Sequence, residues 1–282
     1  MDSPAFEITA NCACLALEKS TGYDVRLLVL LTLLCCPPSL LCADWILAQE
    51  RQRDTGTPAL SVVSKSIAGD PSVSLHLVLP DPKATRLLVL DNPGNGRRLD
   101  QAMAERGCLG GVNGGYFHAD FEPIGLVVSE GRKIHGFERA RLLSGVLAVR
   151  EGQPSLLRSA ELRPEETLSD GLQAGPFLVD RRRPVKGLEA TKQARRTVIV
   201  SDQAGLYALA VADAPLTLAQ LAALLAAPDI VHELRVERAL NLDGGSSAAL
   251  WSRTSAGQFY LPEWKRVRNF LCVLQHSVGD KR

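Results

Sequence analysis

Aromatic residues are scarce. Phe, Trp and Tyr together make up 5% of the 282 residues, so the chain advertises no broad stacking surface for nucleic acid or glycan. An excess of one charge is also missing: the net charge is +1, and beyond residue 43 the balance is only slightly basic, which gives no ground for a nucleic-acid partner. No apolar run approaches the roughly 20 residues that carry a helix across a bilayer, so no stable membrane span is expected in the mature chain. The five histidines form no triad or zinc spacing. Gly-x-Ser-x-Gly, Walker and dinucleotide fingerprints are absent, and with them any expectation of a metal or cofactor. No internal repeat or low-complexity linker interrupts the chain.

Cysteine is unevenly placed. Five of the seven (Cys12, Cys14, Cys35, Cys36 and Cys42) lie in the first 43 residues. There, Arg26 precedes the run Leu27 to Cys36, which Pro37 and Pro38 break. A positive charge followed by a short apolar run reads as a secretory signal peptide, with cleavage after Ala43. The acidic stretch before Arg26 fits that reading poorly, and a biological start near Val25 would account for it. Residues 1–43 are therefore expected to be a leader and 44–282 a single exported domain, periplasmic or secreted. Cys108 and Cys272 are the two cysteines left. In an oxidising compartment they can pair, but each sits in an apolar run, and two separate buried thiols fit the sequence equally well.

The mature sequence reads as strands with a few helices. Val73 to Leu77 alternates with period two, as a half-buried strand does. Leu99 to Arg106 has helical composition and ends at Gly107, a suitable cap. Thr217 with Gln220 forms a capping box, and the Ala/Leu-rich helix after it must stop by Ala227 because Pro228 follows. Glu130-Gly131, Glu151-Gly152 and Ser201 to Gly205 each divide two apolar runs, a hairpin signal. The expected fold is α+β: a hairpin-rich mixed β-sheet core flanked by a few helices, in a single domain.

Three segments share one pattern, a strand that runs into a polar, glycine-bearing turn. They are Asn113-Gly114-Gly115, Gln173-Ala174-Gly175-Pro176 and Asn241 through Ser247. Glycine lets backbone approach a ligand closely, and consecutive N–H groups in such turns can cradle an anion. Asp243 is the most chemical residue of the set, able to act as nucleophile, base or ligand. On Asp-Gly-Gly alone an Asx-turn is the plainer alternative. Ser246 and Ser247 supply hydroxyls, with helix capping as their ordinary use. Asn113 and Gln173 suit sugar hydroxyls or, equally, buried turn-bridging. Arg196, beside Thr197, can grip phosphate or simply form a salt bridge. Asp120 and Glu122 offer a second carboxylate, and His118 lies nearby.

Taken in order, these segments resemble a known family. Asn113-Gly114-Gly115-Tyr116-Phe117 with Pro123-Ile124-Gly125-Leu126, then Gly145 to Val149, Gln173 to Val179, Arg196-Thr197-Val198-Ile199 and Asn241 to Ser247 are similar to the phosphodiester glycosidase domain, over roughly Val73 to Leu274. The pattern departs from the family's at Val200, where glycine is common, after Asp243, where two glycines stand instead of three, and at Arg266 to Asn269, which lacks two prolines.

The resemblance implies hydrolysis of a sugar-1-phosphodiester by an exported protein whose partner is a glycan or sugar-phosphodiester substrate. It makes Asp243 the key carboxylate, with Arg196 and Asn113 catalytic beside it. Gly114, Gly115, Gln173, Gly175, Thr197, Asn241, Gly244, Gly245, Ser246 and Ser247 are expected to line the substrate pocket. Asp243 would face the positive charge developing at the anomeric carbon, while Arg196 and the N–H groups of Gly115, Gly244 and Gly245 would meet the leaving phosphate. Two rivals remain open at this point: a Ser246-dependent phosphodiesterase or esterase, and a non-catalytic glycan- or envelope-binding protein on the same fold.

Overall fold

The computed structural model describes residues 45–276 except Asn95 and Pro164. The expected leader, its five cysteines and its cleavage point therefore lie outside the described residues. In chain order, strands β1 (Ile46–Arg53), β2 (Leu60–Ala68), β3 (Val73–Pro80) and β4 (Thr85–Asp91) precede helix α1 (Leu99–Arg106). Strands β5 (Gly110–Asn113), β6 (Val127–Ser129), β7 (Arg132–His135), β8 (Gly145–Arg150) and β9 (Gln153–Arg158) follow. Then come β10 (Asp170–Ala174), β11 (Phe177–Asp180), β12 (Arg183–Pro184), β13 (Ala194–Ser201) and β14 (Tyr207–Leu216), then helix α2 (Leu218–Ala226). The chain closes with β15 (Arg238–Asn241), β16 (Leu250–Thr254), β17 (Gly257–Leu261) and β18 (Asn269–Gln275).

The strands form three sheets. Eight make one in the order β1-β2-β3-β14-β13-β15-β11-β12, five make a second in the order β7-β6-β10-β8-β9, and five a third in the order β17-β16-β5-β18-β4. Every pairing between these strands is antiparallel, as hairpin connections require. The α+β, hairpin-rich expectation holds. Glu130-Gly131 and Glu151-Gly152 turn with φ positive at both residues, which matches the twist of the strands they join.

Strand alternation turns three sheets inward on one core. Val62 and Ile199 of the eight-stranded sheet meet Leu147 and Leu172 of the second and Val89 and Val112 of the third, all essentially inaccessible. The opposite face of the eight-stranded sheet is covered by α2, through Leu221, Leu224 and Leu225. Thr217 caps α2 as expected, accepting from Gln220 N at 3.1 Å while Gln220 Oε1 accepts from Thr217 N. Helix α1, ended by left-handed Gly107, covers the outer face of the third sheet with Leu99 and Met103. In that layer Cys108 and Cys272 form a disulfide, Cα atoms 5.8 Å apart, between the segment leading into β5 and strand β18. The open question of pairing is thereby answered: both apolar runs are buried, but they are neighbours.

No helix among the described residues is long and apolar enough to cross a membrane.

Candidate active site

Strand β5 is the middle strand of its sheet, β10 the middle strand of its own, and β13 and β15 lie inside the eight-stranded sheet. All four bring an end to one place. Rigid, doubly flanked strands hold their tips more precisely than loops do.

Asn113, at the end of β5, is fully buried. Its Nδ2 donates to Asp243 O at 2.7 Å, and its Oδ1 accepts from Thr197 Oγ1 at 2.6 Å and Ala249 N at 3.0 Å. One amide therefore ties β5 to β13 and to both ends of the Asp243 turn. Next to it, Gly114 O accepts from Asp243 N at 3.0 Å, and Leu242 N donates to Thr197 O at 2.9 Å. Gly114 must be glycine, because a Cβ there would collide with the Asn269 side chain.

Asp243 thus has its main chain clamped on both sides. Its Oδ1 accepts from Gly244 N at 2.8 Å, so the local Asp-Gly turn chemistry is present as well. The residue is partly accessible to solvent. Burial pushes its pKa above the ordinary carboxylate value; the Ser247 hydroxyl, the Gly244 N–H and the charge of Lys265 pull the other way.

Tyr116 sits over the same junction. Its hydroxyl donates to Gly175 O at 2.5 Å and accepts from Asn241 Nδ2 at 2.8 Å. Desolvation and the nearby Asp243 charge push its pKa upward, partly offset by Asn241 and Arg196. Tyr116 therefore stays protonated, within the field of both the carboxylate and the guanidinium. Arg196 is half-buried; its Nε donates to Leu216 O at 2.8 Å and its Nη2 to Lys192 O at 2.6 Å. Backbone carbonyls hold it, no direct ion pair cancels its charge among the described residues, and burial lowers its pKa.

The 310 turn Gly245–Ser247 is packed under the loop after β17. Trp264 N and Lys265 N donate to Ser246 O at 2.7 and 3.1 Å. Trp264 is 70% exposed, its ring facing the Arg195 guanidinium at 5.1 Å. The buried Glu263 anchors this loop, accepting from Leu99 N at 2.9 Å and from the Tyr260 hydroxyl at 2.7 Å.

Most of the residues singled out in the sequence do meet: Asn113, Gly114, Gly115, Gly175, Arg196, Thr197, Asn241, Asp243 and the turn Gly244 to Ser247. Their roles divide differently. Asn113 has no free polar capacity for catalysis and is a positioning residue. Asn241 Nδ2 is spent on Tyr116, Gly175 and Leu242, though its buried Oδ1 has no partner among the described residues. Gly115 N is not available to an anion, because it donates to Asn269 Oδ1 at 2.7 Å; Gly244 N is taken by Asp243.

Gln173 points elsewhere. Its Oε1 accepts from Leu126 N and Glu138 N, both at 3.0 Å, and its Nε2 donates to Glu138 O at 2.7 Å. It is the buried turn-bridging amide, not a pocket residue. His118, Asp120 and Glu122 make a separate turn closed on itself, with Asp120 Oδ1 accepting from Glu122 N. Tyr116, Asn269 and the pair Trp264-Lys265 are the residues that motif reading passed over. Tyr116 and Asn269 were visible only as members of quoted motifs, and Trp264-Lys265 carried no local signal.

Glu50, His232 and Glu233 form the group of side chains that could ligate a metal among the described residues. The buried Lys65 Nζ already fills it, 2.8 Å from Glu233, 3.2 Å from Glu50 and 2.8 Å from Ile230 O.

Replacing Asn113 by Ala would strand the Thr197 hydroxyl, Ala249 N and Asp243 O. At about 1 kcal/mol or more for each buried group left without a partner, the variant should lose about 3 kcal/mol of stability, read from its urea midpoint. An unchanged midpoint would show that the junction is not held this way.

Residues 106–274 match the family model of the phosphodiester glycosidases, and the chain belongs to that family. That places it among glycosidase-type hydrolases. Its fold is similar to the catalytic domain of zebrafish N-acetylglucosamine-1-phosphodiester alpha-N-acetylglucosaminidase, auto-inhibited by its pro-peptide. The likeness has a TM-score of 0.58 and 18% identity, covering 82% of this chain and 89% of that one. A hypothetical protein from Synechocystis matches with TM-score 0.57 and 16% identity over 81% of this chain and 64% of its own. A candidate exported protein from Burkholderia pseudomallei matches with TM-score 0.51 and 14% identity, over 72% and 74%. Comparison with curated protein sequences finds no match.

Proposed function

We propose that the protein is exported and hydrolyses the glycosyl–phosphate bond of a sugar-1-phosphodiester, with Asp243 as its key carboxylate. One observation carries this reading: a carboxylate on a partly accessible residue, clamped at a junction of three sheets, lies in the field of Lys265 and shares Tyr116 as a neighbour with Arg196.

Breaking the bond between the anomeric carbon and its oxygen sends the electron pair to the phosphate and leaves positive charge on the sugar. Ionised Asp243 stabilises that charge by contact or by covalent attack. Arg196 and Lys265 receive the anionic leaving group. The N–H groups of Gly245 and Ser246, which donate no hydrogen bond among the described residues, add to this cradle in place of Gly115 and Gly244. Water completes the reaction at the anomeric carbon. Trp264, exposed yet fixed by its neighbours, offers an apolar face to a sugar ring. The Cys108–Cys272 disulfide suits an oxidising compartment and supports the export reading.

The test is the position of cleavage. The methyl phosphodiester of N-acetylglucosamine 1-phosphate, hydrolysed in ¹⁸O-water, should place the label in the free sugar and release methyl phosphate. Label in the phosphate would sink the proposal and favour the Ser246 reading, for which no base hydrogen-bonds the Ser246 hydroxyl among the described residues.

The pKa direction gives a second check. Only the ionised carboxylate is useful, so the acid limb of kcat/KM should lie above the ordinary aspartate value of about 3.9. The Ser247 hydroxyl lowers the pKa of Asp243. Ser247→Ala should therefore move the acid limb to still higher pH, and a stationary limb would exclude Asp243 as the titrating group.

A further inference from the structure

Three sheets enclose the core, and among the described residues two of them have a helix on the outer face. Among the described residues the outer face of the sheet β7-β6-β10-β8-β9 has none. Alternation along β8 turns Val146 and Ala148 outward, where they join Leu126, Val128 and Leu168. Antiparallel sheets often leave one face to solvent, but that face is then polar. This one is apolar.

Above it lies a cavity of about 860 Å³, within the range of sites that hold small molecules. Leu126, Val128 and Leu168 form its floor, and Phe137, Leu143 and Leu162 its walls. Phe137 is 40% exposed, a cost in water that an apolar occupant would remove. The wall is fixed from beneath. Gln173, which does not serve the Asp243 site, spends its amide on Glu138 and Leu143, and the Ser159 hydroxyl donates to Leu143 O at 2.5 Å.

The rim is cationic. Lys133, Arg139, Arg141 and Arg163 line the cavity, and none of the four makes an ion pair or side-chain hydrogen bond among the described residues. Two acids also line the cavity, one ion-paired to a base outside it and one not. Glu138 accepts from Gly125 N at 2.9 Å, and Glu166 pairs with Arg150 at 2.6 Å. A surplus of cations around an apolar trough calls for a ligand with a long apolar body and a compact, highly charged anionic head. A second copy of this chain docked across a two-fold axis would bring the same cations face to face. A membrane surface is met by a protruding apolar face, whereas this one is recessed.

We propose that this trough binds a single-chain lipid phosphate, one molecule per chain, at a site separate from Asp243. The alkyl chain lies along Leu126, Val128 and Leu168, and the phosphate is gripped by the Arg139 and Arg141 side of the rim.

Isothermal titration of the full chain with dodecyl phosphate below its micelle concentration tests this, with inorganic phosphate and dodecanol as the separated halves of the ligand. Dodecyl phosphate should bind one to one, at least tenfold more tightly than either half. The double variant Arg139→Ala/Arg141→Ala should weaken it by about tenfold, or roughly 1.4 kcal/mol. Ala160→Trp, which fills the trough from an exposed position, should abolish binding while the thermal midpoint stays unchanged. Asp243→Asn should bind dodecyl phosphate normally, so the failure of the enzyme reading and of this one can be told apart. Equal affinity for the three probes, binding indifferent to both trough variants, dimer formation, or sedimentation with anionic vesicles without uptake of the single lipid would each overturn the proposal.

Discussion

Asp243→Asn should lower kcat by on the order of 10³-fold or more while the protein melts no earlier than the parent at pH 7. On the proposed function, the loss follows from removing a charge needed when the glycosyl–phosphate bond opens; deleting a carboxylate from a cooperating site costs rates of this order. The unchanged fold follows from local geometry. Asparagine keeps the Oδ1 that accepts from Gly244 N, and the backbone bonds to Gly114 and Asn113 do not involve the side chain.

Stability carries its own sign. Burial raises the Asp243 pKa in the folded state, so folding favours the protonated form. The carboxylate's unfavourable contribution is absent at low pH and develops as pH rises through the folded pKa. Asparagine removes it, and the thermal midpoint at pH 7 should stay level or rise. Parallel turnover assays and melting curves check both halves. A folded Asp243→Asn protein with normal turnover ends the assignment, whereas one that fails to fold would mean that the residue is structural.

Cys108→Ala/Cys272→Ala, or reduction of the native protein, should cost about 5 kcal/mol. The two cysteines are separated by 164 residues, and closing so long a loop removes a large share of the unfolded chain's freedom in the loop-entropy account. For a domain of this size that corresponds to a melting point lower by roughly 10 to 20 °C. The effect should reach the proposed active site too. The bridge ties the entry of β5 to β18; at the far end of β5 Asn113 pairs with Phe270, and Asn269 accepts from Gly114 N and Gly115 N. Turnover in reductant should therefore fall at temperatures well below the parent's midpoint. Identical melting curves with and without reductant would show that the bond does not contribute.

Local order was largely legible in the chain. Helix α1 begins and ends where Leu99 to Gly107 suggested, α2 carries the Thr217 capping box, and the Glu-Gly hairpins turn where two positive φ values were needed. Strand β1 was not legible. Ile46–Arg53 is mostly polar and exposed, an edge strand held by backbone pairing with β2, and such a strand has no hydrophobic period to read. The family motifs gathered the right turns, because glycine-bearing strand ends must lie where backbones crowd.

Which of those residues keeps a free functional group was not written in the motifs. Asn113, Asn241 and Gln173 are chemically alike, and only their neighbours separate them: two brace the Asp243 junction, and the third holds up the wall of a trough on another sheet. Asp243 and Arg196, 47 positions apart, share Tyr116 through folding alone. Covalent order thus determined the helices, hairpins and family, since propensity, capping and turn chemistry act over a few residues. Packing decided the disulfide, the spent amides, the raised Asp243 pKa and the apolar trough, because burial and hydrogen-bond competition depend on what distant strands bring alongside.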